Sequence, residues 1–263
     1  MHHASRLNLF GHLVMALLAA LAFGAIAATA AQAATEGPFW TVEGKKLEKN
    51  ETREITIKAE GSISLESEVI GKPGSVTCPK AEVEKGSYLA GGVPGTSREV
   101  VKFLGGCTVV GNGTGCKVKE PIVTKPVFNE LVVSDNEPGF GSKILVEFKP
   151  ASGTEFTKLE FEGSGCTLKT NTIEGEVLGS VYTDPEASEG KPEVPVEIEK
   201  TPRELTSYLT KFPDPAKSIW LWSGTAFKLV VPKTLTGFLG GEAKLTGNVL
   251  SALVNGKKYA SEV

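Results

Sequence analysis

Histidine is scarce in this 263-residue chain: His2, His3 and His12 are the only three, and all lie in or before an N-terminal apolar run. Without that run the chain has none, which excludes Ser-His-Asp and Cys-His nucleophiles, His-built zinc sites and His general bases. The four cysteines, Cys78, Cys107, Cys116 and Cys166, contain no CxxC spacing, so a thiol redox centre is not expected. Past the N-terminus no apolar run reaches the length of a membrane span. Positive charge is not in excess either. Without residues 1–33, 27 basic residues face 31 acidic ones, a net charge of −4, and Lys alternates with Glu as on solvated strand faces. Nucleic acid, which calls for clustered Lys and Arg, is not an expected partner. A sustained helical period is also missing, except at Arg203–Phe212, where the spacing of Leu205, Tyr208, Leu209 and Phe212 allows one short helix.

What is present begins with a secretory signature: basic Arg6, an apolar run from about Leu13 to Ala30, and the small-residue site Ala31-Gln32-Ala33. Residues 1–33 read as a signal peptide, with an uncleaved anchor as the competing reading, and the protein is expected to be secreted, with no membrane association after cleavage. The remaining 34–263 read as a single β-rich extracellular domain with a long acidic, Pro-rich loop near 183–195.

Ser97–Val118 stands out as an apolar alternating strand, a glycine-rich turn (Gly111–Gly115) and a second strand. Phosphate cradling by these glycines is disfavoured because no helix pattern follows. Arg53–Ala59 and Ser62–Val69 alternate apolar with polar residues around Glu60-Gly61, as the two arms of a hairpin would. Further alternating runs recur to the C-terminus, with Gly or Pro turns every ten or so residues. The expectation is an all-β, antiparallel sandwich or barrel-like domain with at most one or two short helices.

Phe39–Gly44, the segment from Cys107 to Cys116, Phe148–Phe156 leading to Gly165-Cys166, and Gly241–Gly247 resemble an uncharacterised group of secreted actinobacterial β-rich proteins with paired cysteines. The resemblance implies export, β structure and disulfides. It supplies no functional residues.

Four cysteines in an exported chain point to two disulfides. A hairpin over the glycine turn would pair Cys107 with Cys116 and leave Cys78 for Cys166. Trp220 and Trp222, two apart in SIWLWSG, share one face of a strand and are the candidate ligand-binding residues, with burial in the core as the competing role. Trp40 reads as core. Asp135, Asn136 and Glu137 fit no EF-hand spacing and read as an ordinary turn. No catalytic residue, metal site or cofactor is expected.

The favoured function is a non-catalytic extracellular or cell-surface module, structural or ligand-binding, with a cell-wall glycan or another surface protein as candidate partner. The alternative is a secreted carboxylate hydrolase acting on glycans, which would need two acids flanking a cleft. Intact-mass measurement of the secreted protein should show cleavage close to Ala33; a mass that retains residues 1–33 would show the anchor instead.

Overall fold

The computed structural model describes residues 37–69, 72–134, 143–182, 208–211, 219–222, 227–230, 235–237 and 241–262. Among them every regular element is a strand, as the β-branched alternation and Gly/Pro punctuation imply. Glu36–Val263 cluster as one compact unit. Residues 1–33, read as a signal peptide, and 183–195, read as a loop, lie outside the described residues.

With strands numbered in chain order, eight of them pair antiparallel, each with the next: β3 (Thr52–Val69), β6 (Tyr88–Ala90), β7 (Thr96–Glu99), β12 (Val127–Ser134), β13 (Lys143–Pro150), β16 (Val177–Tyr182), β17 (Tyr208–Lys211) and β21 (Glu242–Leu253). The eighth pairs back onto the first, so the circuit closes as an up-and-down barrel. Strand β17 occupies part of the segment whose spacing allowed a helix. Local periodicity there gives way to ladder hydrogen bonds with β16 and β21.

Strands β3 and β21 run on beyond the barrel. Their far ends join β4 (Lys72–Cys78), β9 (Thr108–Val110), β10 (Lys117–Val118), β14 (Glu155–Glu162), β15 (Thr170–Glu174) and β20 (Leu235–Thr236) in a second curved sheet. Its order is β10-β14-β15-β20-β21-β3-β4-β9, around a core that includes Val76, Leu159, Phe161 and Ile173. The crossing from barrel to second sheet falls where Gly61, Ser62 and Ile63 stand against Gly247 alone, between the pairs Asn248↔Glu60 and Thr246↔Ser64. Gly247 has φ +131°, and a Cβ there would sit 2.6 Å from Ile63 Cδ1 and 2.8 Å from the Ser62 carbonyl oxygen. Only glycine fits that bulge without a shift of its neighbours.

The unbroken β3 corrects the expected hairpin at Glu60-Gly61. A two-residue turn there would set Ile57 opposite Ser64 and Ile55 opposite Glu66, apolar against polar on both faces. As one strand, Ile55, Ile57, Ala59, Ile63 and Leu65 keep a single phase, and all of these except Ile57 and Leu65 are fully buried.

A small sheet of β5 (Lys80–Val83), β8 (Val101–Leu104) and β11 (Ile122–Val123) lies at the junction, where Phe103 packs against both the second core and the Ala59–Val249 cluster. Strands β1 (Phe39–Val42), β2 (Lys45–Lys46) and β22 (Tyr259–Glu262) form a third sheet whose Trp40, Val42 and Tyr259 pack into the barrel core with Ile55, Leu89 and Leu131. Trp40 is 4% exposed and donates its indole N–H to the Thr96 carbonyl at 3.0 Å. It is core, as expected. A hairpin of β18 (Ile219–Trp222) and β19 (Phe227–Val230) adds to the end of β12.

Ser97–Val118 is not a hairpin. It is divided among β7 in the barrel, β8 in the junction sheet, β9 beside β4 and β10 beside β14. The disulfides follow this division and correct the expected pairing: Cys78 bonds Cys107 and Cys116 bonds Cys166, with Cα–Cα separations of 4.2 and 4.8 Å. In the β4–β9 ladder Thr77 faces Thr108, so the next pair out is Cys78 and Cys107. Gly111, Gly113 and Gly115 do take positive φ, as expected of a reversal, but the turn packs against the 163–168 segment. Asn112, fully buried, donates to the Leu168 carbonyl at 3.1 Å and accepts from the Leu168 N–H at 2.7 Å. The Cys107 turn is held from below by Glu120, whose carboxylate accepts the N–H groups of Gly105, Gly106 and Cys107 at 2.6, 3.1 and 2.6 Å. These bonds, that from Gly106 foremost, hold its carboxyl below the usual range.

The two disulfide loops, of 29 and 50 residues, follow one another along the chain without overlap. Chain entropy assigns them about 3.6 and about 4.1 kcal/mol. Non-reducing peptide mapping should recover Cys78 with Cys107 and Cys116 with Cys166; a peptide joining Cys107 to Cys116 would contradict the ladder registers.

Candidate functional site

An eight-stranded barrel is just wide enough for its side chains to fill it or to leave room for one small ligand. This one leaves room. A cavity of about 70 Å³ remains inside, walled by Ile55 and Ile57 of β3, Val127 of β12, Val146 and Phe148 of β13, and Val249 of β21, with Trp40 and Tyr259 of the third sheet also lining it. One water needs roughly 10 to 15 Å³, so the space exceeds a single solvent molecule several times. Phe103, Phe156 and Leu245 separate it from a second cavity of about 40 Å³ in the other core. Apart from Thr157, whose hydroxyl is bonded to the Val123 carbonyl, the second cavity's lining is apolar.

Besides Ser251 and Tyr259, the barrel cavity has a hydrogen-bonded cluster of polar groups on its wall. Ser97 and Glu99 stand two apart on β7 and so project to the same side; Asn129 on β12 is the direct cross-strand partner of Ser97. All three are buried: Ser97 is 4%, Glu99 6% and Asn129 1% exposed. The Asn129 amide nitrogen donates to Ser97 Oγ at 2.8 Å and to the Glu99 carboxyl. The Asn129 carbonyl oxygen is buried without a partner. Burial pushes the Glu99 carboxyl up to about 7, against the opposing hydrogen bond from Asn129.

The opposite face of β12 and β13 treats buried acids differently. Glu147, a cross-strand neighbour of Glu130, accepts from Lys149 Nζ at 2.5 Å, and the same ammonium lies 3.4 Å from Glu130. Burial raises the Glu147 carboxyl and Lys149 pulls it back down. That group is internally paired. The Glu99 group has no cation among the described residues lining the cavity.

Sequence reasoning did not select Ser97, Glu99 or Asn129. The available signal was phase: Ser97 and Glu99 continue the face of Val101 and Phe103, and Asn129 lies between Val127 and Leu131 on one face. A polar residue in a buried phase is the informative observation. Trp220 and Trp222 are on one strand two apart, as expected, with Trp220 opposite Val133 and Leu229 and Trp222 opposite Phe227. Their side chains lie outside the described ones, as do Asp135, Asn136 and Glu137. Comparison with protein-family models, with curated proteins and with solved structures finds no match.

A raised carboxyl value makes stability fall with pH. Below about 4.5 the folded and unfolded chains both keep the Glu99 proton; between there and about 7 only the unfolded chain ionises, and above 7 the loss levels off. Between pH 5 and pH 8 this amounts to roughly 2.5 kcal/mol. Urea denaturation of wild type and Glu99→Gln at the two pH values should show wild type losing that much more stability than the variant; equal losses would place Glu99 in water.

Proposed function

We propose that the chain is a secreted, non-catalytic binding module whose barrel cavity holds a small, mostly apolar molecule. The observation that carries this reading is the space left inside a closed eight-strand ring, lined by aliphatic and aromatic side chains with a few convergent polar groups. Ligand sites share that composition, whereas cores closed for stability alone fill such space with side chains. Two disulfides fit an extracellular setting, and the N-terminal apolar run with its small-residue site is the proposed means of export. Glycan hydrolysis is the weaker reading, because Glu99 is the one carboxyl among the described residues lining the cavity and glycosidases work with two.

Xenon enters apolar protein cavities and reports their accessibility. Methyl-resolved NMR of the mature chain under xenon should shift Val146 and Val249, which line the barrel cavity, beyond any shift of Ile122 and Ile173 in the second cavity. No shift at Val146 and Val249 would mean that the barrel interior is closed to ligands.

A further inference from the structure

The polar part of the cavity wall is centred on a carboxyl group. Asn129 spends its amide on Ser97 and Glu99, while its own carbonyl oxygen is buried without a partner. Ser97 Oγ accepts one hydrogen bond and retains a second lone pair. The Glu99 carboxyl accepts from Asn129 and, unlike Glu147, has no Lys or Arg with it among the described residues lining the cavity. Apart from the linking amide, the donor within this cluster is the Ser97 hydroxyl.

We propose that the barrel cavity selects a small primary amine, with its ammonium group against Glu99 and Ser97 and its apolar body among the aliphatic and aromatic side chains. This rests on the reading of the cavity as a ligand site. An ammonium brings a positive charge and three donors to a carboxyl that has no cation in the described lining; an alcohol carries one donor and no charge, and a carboxylate ligand would meet the Glu99 charge. The aromatic lining of Trp40, Phe103, Phe148 and Phe156 suits a desolvated cation, since ring faces attract positive charge. A carboxylate already buried without a counter-ion is also the partner for which a second buried charge is least costly, because the pair replaces an unpaired ion. Among the described lining residues Glu99 and Tyr259 are the titratable ones, and no Lys, Arg or Asp faces Glu99 from the other strands. Binding an ammonium therefore asks Glu99 to give up its proton.

The test compares 3-methylbutan-1-amine with its near-isostere 3-methylbutan-1-ol, titrated calorimetrically into the mature chain at pH 8 and pH 6. The amine should bind at least tenfold more tightly than the alcohol at pH 8. Its affinity should fall about tenfold at pH 6, where Glu99 is protonated in the free protein, while the alcohol changes little. Glu99→Gln should weaken the amine tenfold or more and leave the alcohol within twofold, with an unchanged methyl NMR spectrum showing that the barrel is intact. Equal binding of amine and alcohol, or an amine affinity indifferent to Glu99→Gln, would overturn the choice of amine while leaving the cavity a ligand site. Failure of both molecules together with an absent xenon shift would remove the cavity reading itself.

Discussion

The pairing of β3 with β21 is the contact on which the rest of the architecture depends. On one side of Gly61 and Gly247 it closes the eight-strand ring; on the other it forms the middle of the second sheet. Because both strands keep their apolar phase through the bulge, the same alternation that fills the barrel fills the second core. Leu245 accordingly faces both cavities. Neither lobe owns these strands, so a disturbance at the bulge would reach both hydrophobic cores at once.

The two faces of β12 and β13 show two treatments of a buried acid. Outside the ring, Glu147 and Glu130 share Lys149, so each carboxylate lies beside a cation supplied by the fold itself. Inside, Glu99 is held by the neutral Asn129 amide, and its carboxyl is correspondingly hard to ionise. An interior built solely for stability would put an aliphatic side chain at each of these positions, as Val127 and Val146 are in the same wall. The polar cluster is a local cost retained in the one place where space adjoins it.

Much of the fold was legible because period-2 alternation is a direct record of burial. Strand class follows from it, while the core role of Trp40 follows from the burial of large aromatics and the positive-φ turn at Gly111–Gly115 from its three glycines. Connectivity did not follow, because adjacency in sequence was taken for adjacency in the ladder. The ten residues from Cys107 to Cys116 suit a hairpin locally, yet β9 and β10 each pair with a partner far along the chain, and those registers decide which cysteines meet. At Glu60-Gly61 the phase itself held the answer, since a tight turn would have crossed Ile55 with Glu66. The site was missed for a related reason. Ser97, Glu99 and Asn129 are ordinary residue types with no motif spacing, and only the topology sets β7 beside β12 and points them at one space.

The sheet of β1 and β22 joins residues near the start of the folded region to the last strand described, as in Phe39↔Glu262 and Trp40↔Ser261. The ring likewise waits for β21 to reach β3. A ribosome delivers the chain from its N-terminus, so neither closure can form until nearly all of the polypeptide has emerged. The barrel is thereby kept open for as long as its last strands are still being made.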